Sequence, residues 1–304
     1  MENIKTLVDD LQKGTIRALA RGITMVENEL PGYEELLTRL NFIKNTPVIG
    51  FTGPPGAGKS TLINALAAHL SNQNLRIGIL AIDPTSPFNF GAILGDRVRM
   101  SEHFLNQNIF IRSLATRGSL GGLSAKAIEI VDVMSMSGFD YIFVETVGVG
   151  QSEVEIVGLA DTTVLILVPE SGDEIQSLKS GVMEIADIFV VNKSDRPGAG
   201  LFLKNLNELI HSRQPEAWTP KIVKTCATQK EGIEELFENI QLHLKQQQKK
   251  NKALLYTERA YRIIQNRRMK NVDKKALAKK IETKLAQEEF NLYKIVDEFE
   301  NNTF

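Results

Sequence analysis

Residues Gly53-Pro54-Pro55-Gly56-Ala57-Gly58-Lys59-Ser60 carry the spacing of a phosphate-binding loop. Glycines let consecutive backbone N–H groups turn inward around an anion, and a following helix adds the positive end of its dipole. The context fits, since Val48 to Phe51 reads as a short buried strand and Thr61 to Leu66 as a helix. In that setting Lys59 reaches the β- and γ-phosphates, the Ser60 hydroxyl ligates Mg²⁺, and Thr61 lies beside them at the helix start. These residues point to a nucleoside triphosphate.

The base is addressed by Asn192-Lys193-Ser194-Asp195, which follows the apolar run Ile188 to Val191. Ligands of open α/β sheets bind at strand carboxyl ends. In an N-K-x-D arrangement the aspartate accepts both the N1–H and the exocyclic amine of guanine, donors that adenine does not present at those edges. A carboxylate left without such donors loses roughly 1.5–3 kcal/mol per charged hydrogen bond. Guanine is therefore expected, with GTP and GDP as the nucleotides. Thr225-Cys226-Ala227, after Lys221 to Lys224, occupies the place of the element whose backbone contacts the guanine carbonyl.

A GTPase also needs carboxylates for Mg²⁺ and a sensor of the γ-phosphate. Asp83 ends the apolar run Ile77 to Ile82, Asp96 lies in Gly95-Asp96-Arg97, and Glu145 ends the run Tyr141 to Val144. Glu145-Thr146-Val147-Gly148 has the form of a D-x-x-G switch with Glu in place of Asp, so the Gly148 amide is placed to contact the γ-phosphate. Lys59, Asp83 and Glu145 are thus the catalytic candidates, and Ser60, Asp83, Asp96 and Glu145 the metal candidates. A helix cap for Asp83, a surface ion pair for Asp96 and a plain strand-end carboxylate for Glu145 are the alternatives. Gln151 stands three residues after Gly148, so water positioning and a structural role are both open to it.

The elements that must position these groups alternate along the chain. Runs at 77–82, 109–114, 141–144, 162–168, 188–191 and 221–225 are separated by helical stretches, which predicts an α/β fold with a mostly parallel sheet flanked by helices. Three segments follow: a helical preface over 1–45, a P-loop GTPase domain over 46–245, and a helical arm over 246–304. In the preface Leu7, Leu11, Leu19, Ile23 and Val26 recur at helical spacing. In the arm the charged run is read as a solvated face, with a polyanion-binding surface as the alternative. Its apolar residues Leu254, Leu255, Tyr261, Ile264, Leu277, Ile281, Leu285, Phe290, Tyr293 and Phe299 need a partner surface, either the body of the protein or a second subunit.

Composition narrows the setting. The 304 residues carry a net charge of −1, so nothing global points to nucleic acid or to a membrane surface. A single cysteine excludes an internal disulfide framework and suits a reducing, cytoplasmic compartment. The histidines, His69, His103, His211 and His243, lack metal-ligand spacing, and no apolar run is long enough to span a bilayer.

Longer motifs then become specific. Ala81 to Pro87, Gly91 to Met100, Arg117-Gly118-Ser119-Leu120-Gly121-Gly122-Leu123-Ser124, Glu145 to Glu153 and Gly172-Asp173-Glu174-Ile175-Gln176-Ser177-Leu178-Lys179, with the early Arg17-Ala18-Leu19-Ala20-Arg21, resemble the methylmalonyl-CoA mutase-associated GTPases of the MeaB/ArgK type. The resemblance runs from about residue 5 to 245. It implies a P-loop protein of the signal-recognition/MinD-like class, homodimeric through its helical extensions. Such a protein is a GTPase chaperone of an adenosylcobalamin-dependent acyl-CoA mutase, gating cofactor delivery and protecting the mutase. Lys59, Ser60, Asp83, Asp96 and Glu145 would form its phosphate and Mg²⁺ site, and Asn192, Lys193 and Asp195 would read guanine. Gln151, Asp173, Glu174, Gln176 and Lys179 would belong to the segments through which the mutase senses the nucleotide.

Two departures stand out. Pro87-Phe88-Asn89-Phe90 is bulky where the family has a small stretch, and Thr225-Cys226-Ala227 replaces Thr-Ser-Ala. A basal rate on the order of 10⁻⁴–10⁻² per second, raised by the partner, is the expectation. Two other functions compete: an ATPase or kinase linked to basic amino-acid transport, and a nickel-insertion metallochaperone GTPase. Guanine-type residues weigh against the first, and the lack of a histidine- or cysteine-rich metal store against the second.

Overall fold

The computed structural model describes residues 4–40, 46–83, 106–115, 126–146, 156–171, 184–211, 218–247, 252–269, 272–286 and 290–300. Seven strands form one sheet: β1 (Val48–Thr52), β2 (Ile77–Asp83), β3 (Ile109–Ala115), β4 (Tyr141–Glu145), β5 (Thr162–Leu167), β6 (Ile188–Val191) and β7 (Lys221–Lys224). Their order is β3-β2-β4-β1-β5-β6-β7, and every pairing is parallel. β1 is central, paired with β4 on one edge and β5 on the other. The inner strands β1, β2, β4, β5 and β6 are buried on both faces, which is why they read in sequence as continuous apolar runs, whereas the edge strands β3 and β7 are more open.

Helices cover both faces. On one, α1 (Ile4–Gln12), α2 (Ile16–Glu27), α3 (Tyr33–Thr38) and α5 (Ala127–Ser135) share a core with Val48, Leu80, Ile82, Leu114, Ile142 and Val144. On the other, α4 (Lys59–Ser71) and α7 (Ile233–Gln247) pack over Ile49, Phe51, Ile79, Phe143, Val164, Ile166 and Val190. A third cluster joins α6 (Ala199–His211) to Leu165, Leu167, Phe189 and Val191. Successive residues of one strand thus feed opposite faces, as the pleat requires.

The preface residues Leu7, Leu11, Leu19, Ile23 and Val26 are all buried in the first of these cores. Each fully buried aliphatic side chain contributes roughly 1.5–3 kcal/mol, so the preface is fastened to the sheet by its apolar stripe. Polar contacts fix its register. Arg112 of β3 pairs with Glu27. Lys126 donates to Glu129 at 2.9 Å and Glu29 at 3.1 Å and lies 4.8 Å over the Tyr33 ring. Desolvation lowers the Lys126 pKa, but the hydrogen bonds and charges of Glu129 and Glu29 outweigh it, and the net shift is upward from 10.5.

Gly50 has a packing reason to be glycine. A Cβ there would lie 2.4 Å from Ile156 Cγ1, in the short 3₁₀ turn Ile156–Gly158.

Residues 251–304 form a second compact unit. It holds α8 (Lys252–Met269), α9 (Lys274–Ala286) and α10 (Leu292–Glu300). Ile295 is buried within it, and Lys280 donates to Glu298 at 2.9 Å. Tyr293 is 80% exposed and Tyr261 64%, with Ile264, Leu285 and Phe290 also on the surface.

Candidate functional site

The loop from Gly53 to Gly58 leaves the carboxyl end of β1 and runs into the first turn of α4. Two of its glycines are demanded by close approach. A Cβ on Gly53 (φ +145°) would sit 2.2 Å from the Ile166 carbonyl oxygen, and one on Gly58 (φ +87°) would sit 2.4 Å from Asn192 Nδ2. Only a residue without a side chain lets the loop pass between β5 and the Asn192 amide. Lys59 is buried and folds back, donating from Nζ to the carbonyls of Gly53 (2.8 Å) and Pro54 (3.2 Å). The lysine charge is therefore held inside the ring that the loop describes.

At the first turn of α4, Ser60 Oγ donates to Glu145 Oε1 at 2.7 Å, and both residues are buried. Thr61, one position on, is exposed. The parallel register places Phe51 opposite Glu145, so the end of β4 delivers its carboxylate beside the loop. Asp83 ends β2 opposite Ala115, one strand further out. Asp96, Gly148, Gln151, Asp173, Glu174, Gln176 and Lys179 lie outside the described residues, as do Phe88 and Phe90. Among the described residues no group of three or more His, Cys, Asp or Glu side chains is placed to hold a metal. Mg²⁺ does not require one, because it keeps several waters and takes only one or two protein oxygens besides phosphate oxygens. Ser60 and Glu145 are oxygen donors of that kind.

The second half of the site lies at the carboxyl ends of β6 and β7. Asn192 is nearly fully buried and ties three loops together. Its Nδ2 donates to the Ala57 carbonyl at 2.9 Å, while its Oδ1 accepts from Thr225 Oγ1 at 3.1 Å and from the Ala227 N–H at 3.2 Å. Lys193 adopts a left-handed backbone (φ +55°) and donates from Nζ to the Gly56 carbonyl at 2.8 Å. Asp195 is the outward-facing member, exposed and in contact through Oδ1 with Cys226 Sγ at 3.3 Å. Asn192 and Lys193 thus lock the phosphate loop to the base-side loop, which leaves Asp195 as the carboxylate available for a base. The Thr225-Cys226-Ala227 element, whose backbone is expected to contact the guanine carbonyl, is held to the base-side loop by the Ala227 N–H, which donates to Asn192.

Several features of the site had no signal in the spacing of motifs. Glu170 pairs with Arg196, joining the turn after β5 to the loop that carries Asp195. The Arg196 hydrogen bond holds the Glu170 carboxyl below its ordinary range. Thr146 Oγ1 donates to Thr52 Oγ1 at 3.0 Å, between neighbours known only once the register of β1 and β4 is known.

A parallel sheet with a glycine-walled loop at its central strand, a lysine inside the loop and an N-K-x-D loop riveted to it defines a P-loop GTPase. The chain belongs to a particular family of these: the model of the methylmalonyl-CoA mutase-associated GTPase MeaB family matches residues 19–285. A Pyrococcus horikoshii protein that bears a GTPase name is 43% identical over 292 residues, covering 94% of this chain and 91% of that one. The mouse protein named methylmalonic aciduria type A homolog, mitochondrial, is 36% identical over 257 residues, covering 78% of this chain and 62% of the mouse protein. The crystal structure of an LAO/AO transport system kinase shares the fold with a TM-score of 0.69 at 22% identity, covering 99% of this chain and 98% of its own. The chain is accordingly a guanine-nucleotide-binding enzyme that hydrolyses GTP. No helix among the described residues is long and apolar enough to cross a membrane.

Proposed function

We propose that this GTPase serves an adenosylcobalamin-dependent acyl-CoA mutase of the methylmalonyl-CoA mutase type, gating delivery of the cofactor and protecting the mutase. The observation that carries the reading is the match to the mutase-associated GTPase family over residues 19–285. The intact phosphate and base loops support it, since nucleotide-dependent gating needs both.

The chain's own groups divide the work. Backbone N–H groups of the loop from Gly53 to Gly58 and the first turn of α4 take the phosphates, with Lys59 turning from the Gly53 and Pro54 carbonyls to the β- and γ-phosphates. Ser60 and Glu145, with Asp83 and Asp96, form the set that would hold Mg²⁺, which supplies neutralisation of phosphate charge when bound. Asp195 reads the guanine N1–H and amine. Asn192 and Lys193 hold the base loop against the phosphate loop, so that occupancy of one is felt at the other. Gly148, Gln151 and the segment containing Asp173, Glu174, Gln176 and Lys179 carry the response to the mutase. Homodimerisation rests on the exposed apolar residues of the unit from 251 to 304.

The deciding measurement is hydrolysis of GTP, with ATP as control, in the presence and absence of a purified adenosylcobalamin-dependent mutase. The reading requires stimulation of at least about tenfold, equivalent to roughly 1.4 kcal/mol of barrier. Binding to no such mutase, with rates unchanged by every one tried, would leave only the GTPase.

A further inference from the structure

The phosphate loop is tied to β4 at both of its ends, and the two ties reach consecutive residues. After the loop, Ser60 Oγ donates to Glu145 Oε1 at 2.7 Å. Before the loop, Thr52 Oγ1 accepts from Thr146 Oγ1 at 3.0 Å, a proton that Thr146 shares with the Phe51 carbonyl at 3.4 Å. The Thr146 backbone N–H donates to that same carbonyl at 3.1 Å. Both threonines are buried, at 0% and 1% exposure.

Nothing about the fold calls for hydroxyls at these two places. Valine has the same shape, suits a buried strand end as well, and spares the cost of burying a polar group. Removing both hydroxyls together leaves no orphan, and such paired replacement is close to neutral for stability. The two ties also differ in what they join. Ser60 is a candidate metal ligand through an oxygen lone pair, and its O–H proton stays available to Glu145, so this tie carries both the metal and the carboxylate. The threonine pair, by contrast, lies on the strand side of the loop, where Thr146 Oγ1 bonds to Thr52 Oγ1 and the Phe51 carbonyl.

We infer that Thr146 and Thr52 form a clasp that, together with Ser60, positions the Glu145 carboxylate against the phosphate loop. The inference rests on the reading of Glu145 as part of the phosphate and metal site. Both threonines are positioning residues: they act on the rate of hydrolysis through Glu145 and leave nucleotide affinity alone. Thr146 matters more, because without Thr52 its hydroxyl still has the Phe51 carbonyl.

The test compares Thr146→Val, Thr146→Ser, the double variant Thr52→Val/Thr146→Val and Glu145→Gln with the wild-type protein. Steady-state GTP hydrolysis gives kcat and KM, calorimetry the GDP affinity, and thermal unfolding the stability of the nucleotide-free protein. Thr146→Val is expected to lower kcat three- to tenfold, the loss of one neutral hydrogen bond. KM and GDP affinity should stay within about twofold under the same reasoning. Thr146→Ser should restore kcat. The double variant should match Thr146→Val in rate while melting like the wild type. If both valine variants keep the wild-type kcat while Glu145→Gln loses it, the clasp is refuted and the role of Glu145 stands. If Glu145→Gln also keeps the wild-type kcat, the reading of Glu145 fails first. A rate loss that serine does not rescue, or one that moves together with GDP affinity and melting temperature, assigns the threonines to packing and overturns the inference.

Discussion

Asn192 Nδ2 donates to the Ala57 carbonyl at 2.9 Å, so a residue of the base-side motif is spent on the phosphate loop. The other side of the same amide, Oδ1, accepts from Thr225 Oγ1 and the Ala227 N–H. One buried side chain therefore sets the spacing between the places where phosphate and base must bind. On the proposed reading base selectivity is concentrated in Asp195, which is exposed at the edge of this scaffold.

Asp195→Asn should weaken GTP binding by about 10- to 100-fold, the loss of one charged hydrogen bond or two. The amide can instead donate to the carbonyl that xanthine carries in place of the guanine amine, so xanthosine triphosphate should gain. Titration calorimetry with both nucleotides reads the exchange. Undiminished GTP affinity would remove Asp195 from base reading.

Lys59→Ala should keep the fold and lose the triphosphate. Nζ bonds to the carbonyls of Gly53 and Pro54, and its charge is needed when phosphates arrive. GTP affinity is expected to fall by about 10- to 100-fold, the equivalent of one charged hydrogen bond. Unfolding curves should show that the variant remains cooperative. Near-normal turnover in soluble protein would contradict the assignment.

Gly50→Ala places a Cβ 2.4 Å from Ile156 Cγ1 and 2.9 Å from Ala160 Cβ, in a region with no room to give. Overpacking of this kind costs about 1–3 kcal/mol. Chemical denaturation should show a lower midpoint with an unchanged slope, because the core is strained and the surface exposed on unfolding is the same.

Lys126 links α5 to the preface through Glu29 and Glu129, and its pKa is raised above 10.5 in the folded protein. The stabilisation it contributes is thus fully present below about 10.5 and is lost as pH rises through the higher folded value. Lys126→Met should be less stable than wild type by a constant margin from pH 7 to 9, and the margin should narrow above pH 10.5. A difference independent of pH throughout would show that Lys126 acts through its packing on Tyr33 alone.

Deleting residues 250–304 should convert a dimer to monomers, as the exposed Tyr261, Ile264, Leu285, Phe290 and Tyr293 are the surface proposed to associate. Light scattering of both forms at micromolar concentration checks this. A monomeric full-length protein would exclude the proposed role.

Much of this architecture was legible because parallel strands are buried on both faces. Each of the six later strands was visible as an apolar run, and each lies within about one residue of its expected limits. The preface helices were visible through Leu7, Leu11, Leu19, Ile23 and Val26, although the break at Gly14 (φ +74°) was not marked by a proline. The phosphate loop and N-K-x-D were visible because their chemistry is local. What was hidden depends on register and on contacts between distant segments. Asn192 bonds to a residue 135 positions away, Thr146 to one 94 away, and Arg112 to one 85 away. No spacing rule reaches that far, since such pairs exist only when the order β3-β2-β4-β1-β5-β6-β7 is known.

That strand order also governs when the site can come into being. β1 is first along the chain yet occupies the middle of the sheet, and its two neighbours are β4 and β5. As the chain emerges from the ribosome, the phosphate loop has its residues by position 60, but Glu145 and the Ile166 carbonyl that shape it arrive about a hundred residues later. At 5–20 residues per second that is a delay of roughly 5–20 seconds. During it, the strand residues that cover the apolar stripes of the preface helices arrive one after another, Val48 of β1 first and Val144 of β4 last. Newly made protein is then most prone to aggregation before residue 167, and guanine nucleotide can assist folding only after that point. Nascent chains arrested before β5 should show no nucleotide binding, and chains arrested well beyond β7 should show it in full.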